Sequence, residues 1–445
     1  MNAVLKILYR CYRIVSGARY ALRRRLTAAG WLVVTAVLVA AFTGVDTDTT
    51  VAYQGFTPLL ALCLLSVFFL KPFATRVEIE RRLPRFATVG KPVQYTIALR
   101  NLGSSQRDLT LIEDLADPRP SFHEWKARQM ATERRMRSFT FNLDERGLPT
   151  RQAAVRPVHV PNLTAGGEAE VSLELTPLRR GLIRFQGVTL ARPDPFGLVH
   201  GFSRYSLPQT LLVLPRRYRL PAIALPGHMK YQEGGVALAA NVGQSDEFVS
   251  LREYRRGDPL RHIHWRSWAK AGKPIVREFE DEFFVRHALV LDTFIDDPQS
   301  EAFEEAVSVA ASFACTIDIQ ESLLDLLFVG NQAYCFTAGR GLAHAEQMLE
   351  ILASVRPCAD KAFSELEHLV LNRVSAISGC ICVLLAWDPP RREFVRRLRA
   401  LEVPLLVLVV TEPGEADSVE PGADAPERFH VLDSGRIAEA LSRLS

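Results

Sequence analysis

The sequence predicts a multidomain chain: an N-terminal transmembrane α-hairpin, an all-β sandwich and a C-terminal α/β domain built on a parallel sheet. Three observations predict it. Two uncharged runs stand close together near the start, short period-two runs with no long helix between them fill the middle, and apolar strand-like runs alternate with helical patterns at the end. With 445 residues, 48% hydrophobic and 23% charged, the chain has material for several cores and is neither disordered nor of low complexity.

Residues 1–27 form a basic N terminus. They hold Lys6, Arg10, Arg13, Arg19, Arg23, Arg24 and Arg25 with no acid, so the formal charge of +4 is a +7 tail on a body that sums to −3. That division argues against a globally basic, nucleic-acid-coating protein. No nucleic-acid partner is expected.

Residues 28–70 follow as two predicted spans, Ala28 to Val45 and Val51 to Leu70, each without a charge. As helices they would cover roughly 27–30 Å, close to the hydrocarbon thickness of a bilayer. A cleaved signal peptide fits less well, because the first apolar core is long and a second follows it closely. Seven cations precede the first span, and Lys71, Arg76, Arg81, Arg82 and Arg85 follow the second, whereas the connecting loop carries only Asp46 and Asp48. Lysine and arginine near span ends stay on the cytoplasmic side, so both ends are predicted there, with the lipid bilayer as a partner. Seven scattered cysteines without metal-ligand spacing suit a reducing compartment. Cys380 and Cys382 lie in an apolar run and would share one face of a buried strand.

Residues 76–220 change to short alternating runs: Pro92 to Asn101, Leu109 to Glu113, Ala169 to Thr176, Leu182 to Leu190 and Leu211 to Leu214. In the third, Val171, Leu173 and Leu175 would face one side. Such strands suggest a sandwich of immunoglobulin-like type. His123 to Arg151 is polar and reads as an insertion, and Asp194 to Leu198 reads as a tight turn with Phe196 and Leu198 plugging the sandwich end.

Residues 221–285 hold the densest charge. Asp258 before Pro259 predicts a helix start and Gly272 a stop, with Leu260, Ile263 and Trp268 packing inward and Arg261, Arg266 and Lys270 on another side. Arg252, Arg255 and Arg256 precede the helix; Lys273 and Arg277 follow it, ahead of Glu278, Glu280, Asp281 and Glu282. Guanidinium groups among so many carboxylates read first as internal salt bridges, and second as a recognition surface for an acidic partner or a phosphate. His262 and His264 are two apart and point differently on a helix, which argues against a shared metal. Glu253, Asp258 and His264 could form an acid/base set, but no nucleophile or glycine-rich phosphate loop accompanies them, so no catalytic residue is assigned.

Residues 286–445 read as α/β. Apolar strands are predicted at His287 to Leu291, Leu323 to Val329, Ala333 to Phe336, Cys380 to Trp387 and Val403 to Val410; helices at Ser300 to Gln320, Leu342 to Ala353, Phe363 to Ala376 and Gly435 to Leu444. Ligands on such sheets sit at the carboxyl ends of strands, which makes Asp292 and Asp388 the first residues to examine.

Several motifs occur together and in order: Ser245-Asp246-Glu247-Phe248, Leu251-Arg252-Glu253-Tyr254, Gly257-Asp258, Arg261-x-Ile263-His264-Trp265 and Val276-Arg277-Glu278-Phe279. With Arg179-Arg180-Gly181 and the Asp194 to Leu198 turn upstream, they resemble the signature of the domain of unknown function 58 family. The signature residues singled out as interaction or structural positions are Arg252, Tyr254, Gly257, Asp258, Arg261, His264, Trp265 and Arg277. The resemblance implies a two-span protein of the bacterial inner (plasma) membrane with its soluble domains facing the cytoplasm. It also implies a C-terminal von Willebrand factor A-like (Rossmann-type) domain, an associated MoxR-type AAA+ ATPase, and no established enzymatic activity. A domain of that type holds Mg²⁺ through Asp-x-Ser-x-Ser, a threonine and a later aspartate. Here the loop reads Asp292-Thr293-Phe294-Ile295-Asp296, and no threonine occurs between Thr337 and Thr411. Asp292, Asp296 and Asp388 are the weak metal candidates, and metal-independent partner binding is expected. The leading functional expectation is a scaffold or adaptor; the alternative is an enzyme acting on a phosphate-bearing or cell-envelope substrate through Arg252 to Arg277.

Overall fold

A computed structural model describes residues 2–43, 50–68, 73, 75–116, 119, 121–122, 125–126, 152–221, 248–255, 260, 263–279, 286–297, 300–317, 323–338, 342–422 and 424–444. The chain divides into two compact units, one built on residues 1–216 and the other on 217–445, apart from two short segments, 297–299 and 350–355, that cluster with the first.

In the first unit the basic N terminus is a helix, α1 (Asn2–Arg25). Apolar residues at three- and four-residue spacings, Val4, Ile7, Cys11, Ile14 and Ala18, explain it. Its inner face carries Leu5, Tyr9 and Tyr12; Leu5 is buried, and both tyrosine rings lie against Trp125, with centroids 5.7 and 6.4 Å away. Two apolar helices follow, α2 (Ala28–Thr43) and α3 (Thr50–Phe68), packed on each other. Among the described residues no helix is long and apolar enough to cross a membrane. α2 has 16 residues, about 24 Å of rise against the ~30 Å hydrocarbon core. The predicted spans therefore show as apolar helices, and their ends, at 44–45 and 69–70, lie outside the described residues.

The sandwich places one sheet, β1 (Val77–Arg82), β3 (Val93–Asn101), β7 (Glu168–Pro177) and β5 (Ala153–Val155), on a second. The second runs β2 (Phe86–Thr88), β9 (His200–Leu214), β8 (Gly181–Pro193), β4 (Leu109–Leu115) and β6 (Val158–Val160). Val171, Leu173 and Leu175 all enter the core, as their alternation predicts. Arg81, counted by charge as a flank of the second span, is instead buried here. Its Nε and Nη2 donate to the Glu113 carboxylate at 2.9 and 2.7 Å, and its guanidinium lies over Phe185. A buried guanidinium needs such a partner, so Arg81 is a core residue of the sandwich. The insertion is described only at Trp125 and Lys126.

The Asp194 turn is tight, as predicted, with Gly197 at φ 69° and Asp194 Oδ1 accepting from the amides of Leu198 and Val199 at 2.6 and 2.8 Å. Phe196, however, is exposed, so only Leu198 plugs inward. The turn seats the N-terminal helices: Thr27 Oγ1 donates to Gly197 O at 2.6 Å and accepts from Gly30 N at 2.9 Å, capping α2.

The second unit carries a six-stranded sheet in the order β14 (Ala333–Ala338), β13 (Leu323–Val329), β12 (Arg286–Leu291), β15 (Gly379–Leu384), β16 (Leu405–Thr411), β17 (Phe429–Asp433). All neighbours are parallel except β14, which returns antiparallel on β13 after a short turn, so the expectation of an all-parallel sheet is corrected at that edge. Its helices are α5 (Glu301–Ile317), α6 (Leu342–Ser354), α7 (Ser364–Leu371), α8 (Pro389–Ala400) and α9 (Ile437–Ser442). The Sγ atoms of Cys380 and Cys382 stand 3.5 Å apart on one buried face of β15. Asp325, a buried acid inside β13, is answered by Arg286, whose Nε and Nη2 donate at 2.8 and 3.1 Å.

Candidate functional site

The strand order of this sheet reverses between β12 and β15, and outside the carboxyl ends of two such strands an open α/β sheet forms its ligand crevice. Asp292 follows β12 directly and is fully buried. Its Oδ1 accepts from Phe294 N at 3.0 Å and its Oδ2 from Leu385 N at 3.0 Å, which is the predicted cap on loop amides. A third donor was not expected: Arg391 Nε reaches Oδ2 at 2.6 Å.

Arg391 comes from α8. Asp388 caps that helix with Pro389 at its first position, and Asp388 Oδ1 accepts from Arg391 N at 3.3 Å. The same side chain turns back on its cap, Nη1 donating to Asp388 Oδ2 at 2.7 Å, while Nη2 donates to Phe294 O at 3.2 Å. Phe363 lies under the guanidinium, 4.9 Å from ring centroid to Cζ. Burial alone would lower the arginine's pKa; the carboxylates of Asp292 and then Asp388 outweigh it and raise it, so the group stays charged.

A hard divalent cation needs open oxygen donors in near-octahedral array. Asp292 has both oxygens committed, Phe294 supplies only a backbone oxygen already bonded to Arg391, and a guanidinium occupies the space between the two carboxylates. These residues do not fit the Mg²⁺ site that the resemblance implies. Asp296 is exposed and takes no part in the hydrogen bonds around Arg391. Among the described residues no group of three or more His, Cys, Asp or Glu could hold a metal.

The signature segment is an antiparallel ribbon, β10 (Phe248–Glu253) with β11 (Ile275–Phe279), enclosing a short helix α4 (Trp265–Ala271). The helix start predicted at Asp258 and Pro259 lies outside the described residues; α4 begins at Trp265, after Ile263 bridges Val276, both buried. Gly272 ends it at φ 67°, as predicted. Leu260, expected inside, is 68% exposed. Gly257, Asp258 and Arg261 lie outside the described residues. Arg252 pairs in register with Val276, and Arg277 with Leu251, so the two arginines take opposite faces of the ribbon. Tyr254 N donates to Pro274 O at 2.9 Å, His264 Nδ1 lies 2.7 Å from Ser267 Oγ, and Glu253 pairs with Lys273. Trp265 is 66% exposed and stacks on Trp268 with centroids 5.1 Å apart.

Residues 250–417 match the family described as protein of unknown function DUF58. The DUF58 match holds every residue of the Asp292 cluster and most of the ribbon, and leaves Arg179 to Gly181 and the Asp194 turn outside it. The chain is 29% identical over 185 residues to the uncharacterised protein YeaD of Bacillus subtilis (strain 168), a match taking in 41% of this chain and 45% of that protein. The chain thus spans less than half of that relative's length. Among solved structures it is similar to the CARDB domain of the PF1109 protein from Pyrococcus furiosus, solved with di-metal ions, at 12% identity and a TM-score of 0.17, covering 33% of this chain and 93% of that one. The ASH/PapD-like domain 7 of human CEP192 is similar at 15% identity and a TM-score of 0.18, covering 32% and 89%.

Sequence reasoning found Asp292 and Asp388 but missed Arg391. The available signal was local: a proline-led helix start at Asp388 puts the residue three positions on in the first turn, at the sheet edge.

Proposed function

We propose that the chain is a non-enzymatic scaffold or adaptor anchored at the bacterial inner membrane, with its soluble domains in the cytoplasm. In this reading the C-terminal domain is a degenerate von Willebrand factor A-like domain. It offers its strand-end edge to a protein partner, and the partner is an AAA+ ATPase of MoxR type.

The observation that carries the reading is the seat of Arg391 on Asp292 and Asp388. A domain that recognises partners through a shared metal leaves a coordination position open. Here a fixed protein cation fills the crevice, so recognition rests on packing and charge. Asp388, whose side chain is 40% exposed, is the outward carboxylate of the cluster.

Co-purification from mild detergent tests the reading. The expected result is recovery of an AAA+ ATPase with the full-length chain, reduced by Asp388→Lys with folding retained. Repeated recovery of intact chain without any ATPase would sink it.

A further inference from the structure

The outer face of α1 exposes apolar side chains. Val4, Ile7, Ile14, Val15 and Leu22 are 60, 60, 70, 53 and 47% exposed. At 3.6 residues per turn they fall in a stripe about 100° wide. That stripe points away from the Tyr9 and Tyr12 face, which is packed on Trp125 and Phe122. Exposed cations border it, Lys6, Arg10 and Arg13 along one edge and Arg19 and Arg23 along the other, and the helix contains no acid.

We propose that α1 lies in the plane of an anionic lipid surface, its apolar stripe sunk among the acyl chains and its arginines on the headgroups. This deepens the membrane-anchored reading and rests on it. An apolar face bordered by lysine and arginine is the pattern of helices that bind within the headgroup boundary. Charge selects lipid over a second copy of the chain: two such helices face to face would oppose like charges, whereas an anionic leaflet supplies the missing sign. The inner face fixes the helix so that the stripe faces outward. Arg24 pairs with Asp114 at 2.7 Å, Arg119 donates to Arg13 O at 3.1 Å, and Leu26 bridges Val199 on the sandwich. The stripe is also continuous in sequence with apolar side chains exposed on α2, among them Leu32, Leu38 and Phe42.

Cys11 lies within the stripe and is exposed, which gives a reporter. In the full chain carrying Cys63→Ser, Cys315→Ser and Cys335→Ser, a polarity-sensitive fluorophore on Cys11 is followed after reconstitution into phosphatidylcholine vesicles with and without phosphatidylglycerol. A second probe sits on Phe42→Cys in the same background with Cys11→Ser. The Cys11 probe is expected to shift blue, and to be quenched by brominated acyl chains, in anionic vesicles only; Ile7→Glu with Ile14→Glu abolishes both effects and leaves the Phe42→Cys probe unchanged. A Cys11 probe that stays water-like while the Phe42→Cys probe is in lipid overturns the inference and leaves the anchor standing. An equal shift in neutral vesicles overturns the anionic assignment, and a shift that rises with protein concentration without lipid assigns the stripe to a second copy. A Phe42→Cys probe that stays water-like while Cys11 shifts removes the anchor formed by α2 and α3 and supports docking by α1.

Discussion

Arg391 Nε lies 2.6 Å from Oδ2 of Asp292, ninety-nine residues earlier in the chain, with both side chains buried. The contact joins the ends of β12 and α8 across the point where the strand order reverses. It turns a crevice that other α/β sheets leave open for ligands into part of the core.

Removing the arginine leaves Asp292 charged, buried and short of its strongest donor. Arg391→Ala is therefore expected to cost about 3–5 kcal/mol. Hydrogen exchange of the β12 and β15 amides in the full chain measures it where it acts. Arg391→Met with Asp292→Leu removes both charges and is expected to regain at least half of the loss. A single-variant cost under about 1 kcal/mol would contradict the pair, since that is the range of an exposed bridge.

The sandwich core holds a second buried charge whose effect depends on pH. Burial raises the Glu113 carboxyl above its ordinary range, and hydrogen bonds from Arg81 and Tyr95 only partly oppose this. Between the unfolded and the raised folded value the native state keeps a proton that the unfolded chain has released, so sandwich stability falls as pH rises through that window. Tyr95→Phe deletes the phenol that donates to Glu113 at 2.9 Å. A hydrogen bond to a charged group contributes about 1.5–3 kcal/mol. The loss should be full where Glu113 is ionised and shrink as pH falls and protonates it. Denaturation of wild type and Tyr95→Phe at several pH values checks this; a pH-independent difference would show that Glu113 is not the group involved.

At the seat of the N-terminal helices, a Cβ on Gly30 would stand 2.1 Å from the backbone oxygen of Leu198, so the helix or the turn must move. Gly30→Ala is expected to loosen the junction at residues 26–30, seen as faster limited proteolysis there. Thr27→Val, which removes the cap on α2 and the bond to Gly197 O, should act in the same direction by about 1 kcal/mol. Gly55→Ala on α3, where the Cβ meets nothing within 4 Å, is the control and should leave cleavage unchanged.

What could be read from the sequence followed burial. Val171, Leu173 and Leu175 alternate because one face of β7 is core, and the fully apolar runs of β12 and β15 are covered on both faces. The elements that escaped are those whose polar residues mask the pattern. α8 carries Arg391, Arg392, Glu393, Arg396, Arg397 and Arg399 around only three buried apolar residues, Phe394, Val395 and Leu398. With the helix went its arginine, the third donor to Asp292. α1 escaped because seven cations drew attention from its 3.6-residue period. At α4 the tertiary pairing was not legible, because nothing local marks Ile263 for its bridge to Val276.

If Arg391 stands where a cation would otherwise sit, removing it and restoring an oxygen should recreate the cation's site. Phe294→Ser adds a hydroxyl two residues beyond Asp292, and Arg391→Ala frees Asp292 Oδ2 and the Asp388 carboxylate. The double variant loses stability for the reason given above, and Mg²⁺ is expected to return part of it. Binding to the native state alone adds RT ln(1 + [Mg²⁺]/Kd), about 1.4 kcal/mol for each tenfold rise in concentration above Kd. Wild type, with the guanidinium in place, should show no such gain. Amide exchange on β12 and β15 with and without Mg²⁺ reads both. Equal protection of the wild type by Mg²⁺ would mean that Arg391 yields to the ion, and the metal-independent reading would fall. A double variant that gains nothing would show that a hydroxyl and two carboxylates at this edge do not make a site, leaving Arg391 a structural clamp with no ion to replace.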